Sequence, residues 1–173
     1  MTKNTNQEDA TRSLLDERAR RYAEAPSVPS DEDVVFRVFE VKVGSARLGI
    51  SSMALTEVRR VSLCLLPNCP TTVLGLFSSR GQIIPAIDVL PLLEDTSSSV
   101  EHGGECLVAI VDTERGKVGL RVDEVLGAVS VRKADLSQGI EARGAKLFIA
   151  ITNDLLGILD VPKLVERPEF SVN

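Results

Sequence analysis

Few side chains in this sequence are of the kind that make or break covalent bonds. The single imidazole, His102, sits in Glu101-His102-Gly103-Gly104-Glu105, which reads as a solvated acidic loop rather than a base held beside a Ser or Cys nucleophile. Gly103-Gly104 lacks the lysine of a GxxxxGK(S/T) loop and the spacing of GxGxxG, so no phosphate cradle is indicated. Cys64, Cys69 and Cys106 are odd in number and carry no CxxC spacing, which argues against a disulfide framework and, with no neighbouring His, against zinc. They are expected to pack mostly as small apolar groups, Cys64 buried within Val61-Ser62-Leu63-Cys64-Leu65-Leu66 and Cys69 in a loop. Asp88 and Asp160 recur in similar surroundings, Asp88-Val89-Leu90-Pro91 and Asp160-Val161-Pro162. A carboxylate pair for acid–base work would need mutual proximity and a shifted pKa. The nearby Pro suits instead an Asp that ends a strand and caps a short helical turn. The chain is therefore read as no enzyme, with no catalytic residue, no metal and no cofactor. What remains is Arg80, in the turn Ser78-Ser79-Arg80-Gly81. Taken alone it is either a solvated turn residue or a planar donor fork held on a rigid support for recognising another protein.

The elements that must hold such a turn are strands. Phe39, Val41 and Val43 alternate with Glu40 and Lys42, the period of a half-buried strand; Gly44-Ser45-Ala46-Arg47 turns and Leu48-Gly49-Ile50 returns. Further strands are expected at 57–62, 82–88, 106–111, 117–122, 125–132, 146–151 and 155–159, with loops over 96–105 and 133–145. No long amphipathic helix is expected after residue 33. The fold class is mainly β, rich in hairpins.

An internal echo organises these segments. VKVGSARLGISSMALTEV (41–58) resembles VDTERGKVGLRVDEV (111–125), and QIIPAIDVLPLL (82–93) resembles LLGILDVPKLV (155–165). Gly49 to Gly119 is a step of 70 residues and Asp88 to Asp160 a step of 72, so both echoes keep nearly one offset. Two similar small β units account for this economically.

Composition narrows the partners. The 173 residues are 43% hydrophobic and 26% charged, enough for a real core. Lys plus Arg number 20 against 25 Asp plus Glu, a net charge of -5, and aromatics are only 3%. That balance lacks both the basic surface and the stacking faces a nucleic-acid binder uses. Apolar runs are far shorter than the roughly 20 residues that cross a bilayer, and the polar N-terminus reads as no signal peptide, so a cytoplasmic setting is expected. Residues 1–33 are read as a flexible extension with a short helix beginning at Ser13, whose Leu15, Ala19, Tyr22 and Ala23 share one face. A solubilising tail and a docking peptide are both open for it.

The stretch GLFSSRGQIIPAIDVLPLL (75–93) resembles the signature of the CheW family of chemotaxis coupling proteins, matching at Gly75, Arg80, Gly81, Ile83, Ile84, Pro85, Ile87, Asp88 and Val89. FRVFEVKVGSARLGI (36–50), MALTEVRRV (53–61), VGLRVDEVLGAVSV (118–131) and LFIAITNDLLGILDVPKLV (147–165) extend the resemblance in order over nearly the whole body. The resemblance implies two interleaved SH3-like five-stranded β-barrels with short helical turns: barrel one about 34–62 plus 132–167, barrel two about 63–131, and a tail at 168–173. It implies a non-catalytic cytoplasmic adaptor, recruited to receptor arrays, that joins the tips of methyl-accepting chemoreceptors to the regulatory domain of a CheA-type histidine kinase. By matching position it implies Arg80 and Glu57 on the receptor side, with Leu55, Val73 and Leu76 in an apolar groove. Kinase contact falls near Val108, Ile110, Val118 and Leu120, some of which must be core because a strand alternates its faces. One departure stands at the centre of the signature. Ser78-Ser79 replaces the usual Asn-Leu. This keeps open an alternative, a CheW-like scaffold or competitor that serves a specialised non-chemotactic kinase pathway without ordinary receptor coupling.

Overall fold

The structure, a computed structural model, describes residues 33–93, 104–137 and 145–166. The expected N-terminal helix, the His102 loop and the C-terminal tail lie outside these residues. Ten strands run in chain order: β1 (Val34–Val43), β2 (Ala46–Ser51), β3 (Leu55–Ser62), β4 (Val73–Ser79), β5 (Gln82–Ile87), β6 (Glu105–Thr113), β7 (Gly116–Val122), β8 (Glu124–Arg132), β9 (Phe148–Ile151) and β10 (Leu156–Leu159). Two short helices interrupt them, α1 (Leu90–Leu93) and α2 (Val161–Val165).

The strands form two five-stranded sheets, ordered β8-β1-β2-β10-β9 and β3-β6-β7-β5-β4. Each repeats one plan: a central antiparallel hairpin (β1–β2, β6–β7), a parallel neighbour (β10 on β2, β5 on β7) and two antiparallel outer strands. Each sheet closes on itself. Cys64, just past β3, bridges Leu76 on β4, and Leu136, just past β8, bridges Thr152, just past β9. Closure satisfies the outer-strand backbone groups that an open sheet leaves unpaired.

The echo maps onto this plan. In the parallel pairs, Ile158 lies opposite Gly49 and Ala86 opposite Gly119. Two residues beyond each come Asp160 and Asp88, and both cap: Asp160 Oδ1 accepts from the Lys163 amide at 3.2 Å and Asp88 Oδ1 from the Leu90 amide at 2.9 Å. The expected boundaries between the barrels need correction. β3 belongs to barrel two and β8 to barrel one, because β3 pairs along its length with β6 and β8 with β1. The chain crosses between the barrels in the short turns after Ser51 and Val122.

Three apolar cores result. Barrel one encloses Val38, Val131, Leu156 and Ile158; barrel two encloses nine buried side chains, Phe77, Ile84 and Val108 among them. The largest cluster, 16 buried residues including Leu48, Ile50, Leu120, Leu159 and Leu164, is the seam contributed by both barrels. At about 1.5–3 kcal/mol for each fully buried Leu, Ile or Val, the seam outweighs either interior and makes the barrels one cooperative body. The expected alternation in β1 fails at Glu40, which is buried, because a bulge between Glu40 and Val41 puts consecutive side chains inside. Arg47 pairs with that carboxylate, Nε to Oε1 at 2.5 Å.

Candidate docking site at the end of barrel two

Arg80 and Gly81 form the two-residue loop between β4 and β5, with Ser79 opposite Gln82 in the ladder. Both have positive φ, 50° and 78°, the geometry of a type I′ turn that matches the twist of a hairpin. An Arg in this region costs about 1–2 kcal/mol relative to ordinary backbone, so the position is held by the ladder on either side. The Arg80 side chain is 74% exposed.

What brings Arg80 to Glu57 is the closure of the barrel. The Cys64 amide donates to the Leu76 carbonyl at 2.7 Å and the Leu76 amide to the Cys64 carbonyl at 2.8 Å, locking the end of β3 against β4. Gly75 permits this approach. Its φ is 148°, and a Cβ there would lie 2.5 Å from the Cys64 carbonyl oxygen. With the strands so joined, Arg80 Nη2 lies 3.3 Å from Glu57 Oε2. On the other side Arg59 Nη1 lies 3.7 Å from Glu57 Oε1 and donates a long hydrogen bond, 3.5 Å, to Ser79 Oγ. Two guanidinium groups thus flank one carboxylate, leaving one positive charge in excess. Beside them, on the outer face of β4 and β5, Ser78 lies opposite Ile83 and Leu76 opposite Pro85; Ile83 is 69% exposed.

A profile of the CheW-like domain matches residues 37–169, most of the chain, taking in β1 from its fourth residue and all of β2 to β10. The chain belongs to that family. The chemotaxis protein CheW of Treponema pallidum is 26% identical over 158 residues, covering 86% of this chain and 92% of that protein. Protein FrzA of Myxococcus xanthus is 30% identical over 117 residues, 67% of this chain and 69% of that one. The crystal structure of the scaffolding protein TtCheW from Thermoanaerobacter tengcongensis superposes with a TM-score of 0.64 at 20% identity, over 78% of this chain and 90% of that one, and shows the same fold.

On this CheW-like frame the residues expected to dock partners separate sharply. Arg80 and Glu57 come together on the surface. Leu76 is half-buried on the outer face of β4, and Leu55 is half-buried at the start of β3, packed against the seam. Val73 does not line a groove: it is fully buried in the seam. Of the residues expected near a kinase contact, Val108, Ile110 and Leu120 are sealed, because β6 and β7 are central strands covered by the barrel interior on one face and the seam on the other. Val118 alone of those four retains partial exposure. Cys64, expected buried, is exposed at the closing bridge; Cys106 is the buried thiol, and burial pushes its pKa up. Sequence reasoning missed Arg59 and Ile83. The period of two that puts Glu57 and Arg59 on one face of β3 was the available signal for the first. Ile83 had none, since Ile83-Ile84 does not reveal which side chain points outward.

Proposed function

We propose that this protein is a non-catalytic cytoplasmic adaptor of chemotaxis or motility signalling, which couples the cytoplasmic tips of methyl-accepting chemoreceptors to the regulatory domain of a CheA-type histidine kinase. Membership of the CheW-like family supports the adaptor role. The observation that carries the docking assignment is the exposed Arg80 guanidinium, held at positive φ on a closed barrel and paired to Glu57 beside the apolar outer face of β4 and β5. A strained backbone that keeps a cation in solvent contributes nothing to packing and suits recognition. Among the described residues no helix is long and apolar enough to cross a membrane, consistent with recruitment through protein contacts.

Buried Ser79, in place of an apolar side chain, favours a second reading: a scaffold for a specialised kinase pathway that engages a receptor of unusual type or none. Arg80→Glu separates the readings. In co-precipitation with purified kinase regulatory domain and a soluble receptor-tip fragment, the variant is expected to keep its fold and kinase capture while losing receptor capture by about tenfold or more, since it turns a paired cation into a like charge beside Glu57. Unchanged receptor capture overturns the assignment of this surface. Kinase capture by a wild type that binds no receptor tip selects the second reading.

A further inference from the structure

Ser79 and Arg59 carry an inference that rests on the receptor-coupling reading and goes beyond it. At 5% exposure, Ser79 faces into the end of barrel two, where the family signature places a large apolar side chain. The Ser79 hydroxyl accepts from the Arg59 guanidinium at 3.5 Å. A Leu at position 79 would remove the side-chain acceptor and leave Glu57, at 3.7 Å, as the partner of Arg59 among the described residues. The consequence is electrostatic. With Arg59 held beside the turn, Glu57 no longer neutralises Arg80 alone; it is shared, and the end of the barrel keeps one positive charge on a protein whose net charge is -5. A local cation on an acidic protein steers an acidic segment while the rest of the surface repels it.

We propose that Arg59, positioned by Ser79, is a specificity-determining residue for the receptor partner, selecting a tip that presents a carboxylate opposite it. The apolar part of such a tip packs on Ile83 and Leu76, and its carboxylate meets Arg59 and Arg80 at the edge. Ser79 is a positioning residue that touches no partner.

The test is a double-mutant cycle on the full chain by calorimetric titration. The probes are a soluble receptor-tip hairpin fragment and the same fragment with its exposed Glu and Asp near the hairpin bend changed to Gln and Asn. Arg59→Gln is expected to weaken binding to the acidic fragment about fivefold, the scale of one partly exposed ion pair, and to flatten the salt dependence between low and high NaCl. Binding to the neutralised fragment should change little. Ser79→Leu should reproduce both effects, and the double variant should add nothing beyond Arg59→Gln, because Ser79 acts only through the position of Arg59. Arg59 is exposed, so Arg59→Gln keeps the test decisive should Ser79→Leu disturb the barrel. Equal losses for both fragments, or wild-type affinity and salt slope in Arg59→Gln, overturn this inference and leave the coupling role standing. A wild type that binds neither fragment while capturing kinase overturns the receptor reading and the inference together.

Discussion

Barrel two presents a cation at its β4–β5 turn, whereas barrel one presents an anion at the matching β9–β10 turn. There Arg47 bridges inward to Glu40 and outward to Asp154 Oδ2 at 3.1 Å, and the Thr152 hydroxyl donates to Asp154, holding its carboxyl below the usual range. A cavity of about 280 Å³ lies beside this turn, lined by Arg47, Val129, Asp135, Asn153, Asp154 and Leu156. The two barrels agree in strand order, in the glycine of the second strand and in the capping Asp. They differ in the charge of their turns. Packing constrains the shared features, because an added Cβ at Gly119 would lie 2.7 Å from the Phe77 ring and at Gly49 3.0 Å from Val38. Turn charge meets no such constraint, and there a duplicated scaffold is free to acquire distinct partners.

The caps show the same divergence inside the fold. Asp88 is fully buried; Arg121 Nη1 lies 3.9 Å from it, and the same guanidinium pairs with Asp123, whose Oδ2 accepts from the Gly44 amide of barrel one at 2.6 Å. Asp160 is also buried, but its partner is the Lys163 ammonium at 2.7 Å, on a side chain 70% exposed. Arg121→Met should therefore be the most damaging change of this group, costing about 3 kcal/mol in urea unfolding, since it removes the cation beside a fully buried carboxylate and from Asp123. Lys163→Met, the counterpart in barrel one, should cost less, about 1 kcal/mol or under, because the ammonium it removes is exposed. Equal costs would mean that the two caps are held in the same way.

The glycines of the outer hairpins sharpen the contrast. Gly75→Ala should destabilise by about 3 kcal/mol, because the new methyl meets backbone, the Cys64 carbonyl, at a φ that L-residues avoid. Gly157→Ala meets the Phe148 ring at 2.7 Å, a side chain able to rotate aside, and should cost about 1–2 kcal/mol in the same assay. A smaller effect concerns acid. Desolvation pushes the Asp160 carboxyl up, but hydrogen bonds from the Lys163 ammonium and amide outweigh it and leave the carboxyl below its ordinary value. A depressed folded pKa gives stabilisation that is complete above the unfolded value of about 3.9 and lost as pH falls through the folded one. In thermal melts from about pH 5 downward, Asp160→Asn should lose Tm less steeply than wild type; parallel slopes would remove Asp160 from the acid response.

Much of this was legible in the residues. Gly49, Gly119, Asp88 and Asp160 betrayed the duplication, and the Pro after each Asp gave the caps. Strand β4 was harder: VLGLFSS breaks its alternation at Gly75 and ends in two serines, so it reads as an approach to a turn. The assignment of β3 and β8 to their barrels was illegible, because hairpin proximity in sequence says nothing about which distant strand completes a ladder. Burial on both faces hid the roles of Val73, Val108 and Leu120, whose apolar character is the same whether they face an interior, a seam or a groove. The pairing of Glu57 with Arg80 follows from barrel closure, a contact between residues 23 apart that no local pattern encodes.

The nesting of barrel two between the strands of barrel one has a consequence for how the polypeptide is made. All five strands of barrel two lie between Leu55 and Val122, so a growing chain contains that barrel's complete ladder before β8, β9 and β10 are made. Barrel one draws on Val34 at one extreme and Leu159 at the other. Its first hairpin must wait beside a finished neighbour until β8, β9 and β10 have followed, and any premature stop before Leu156 deprives it of β10, the strand that joins β2 to β9.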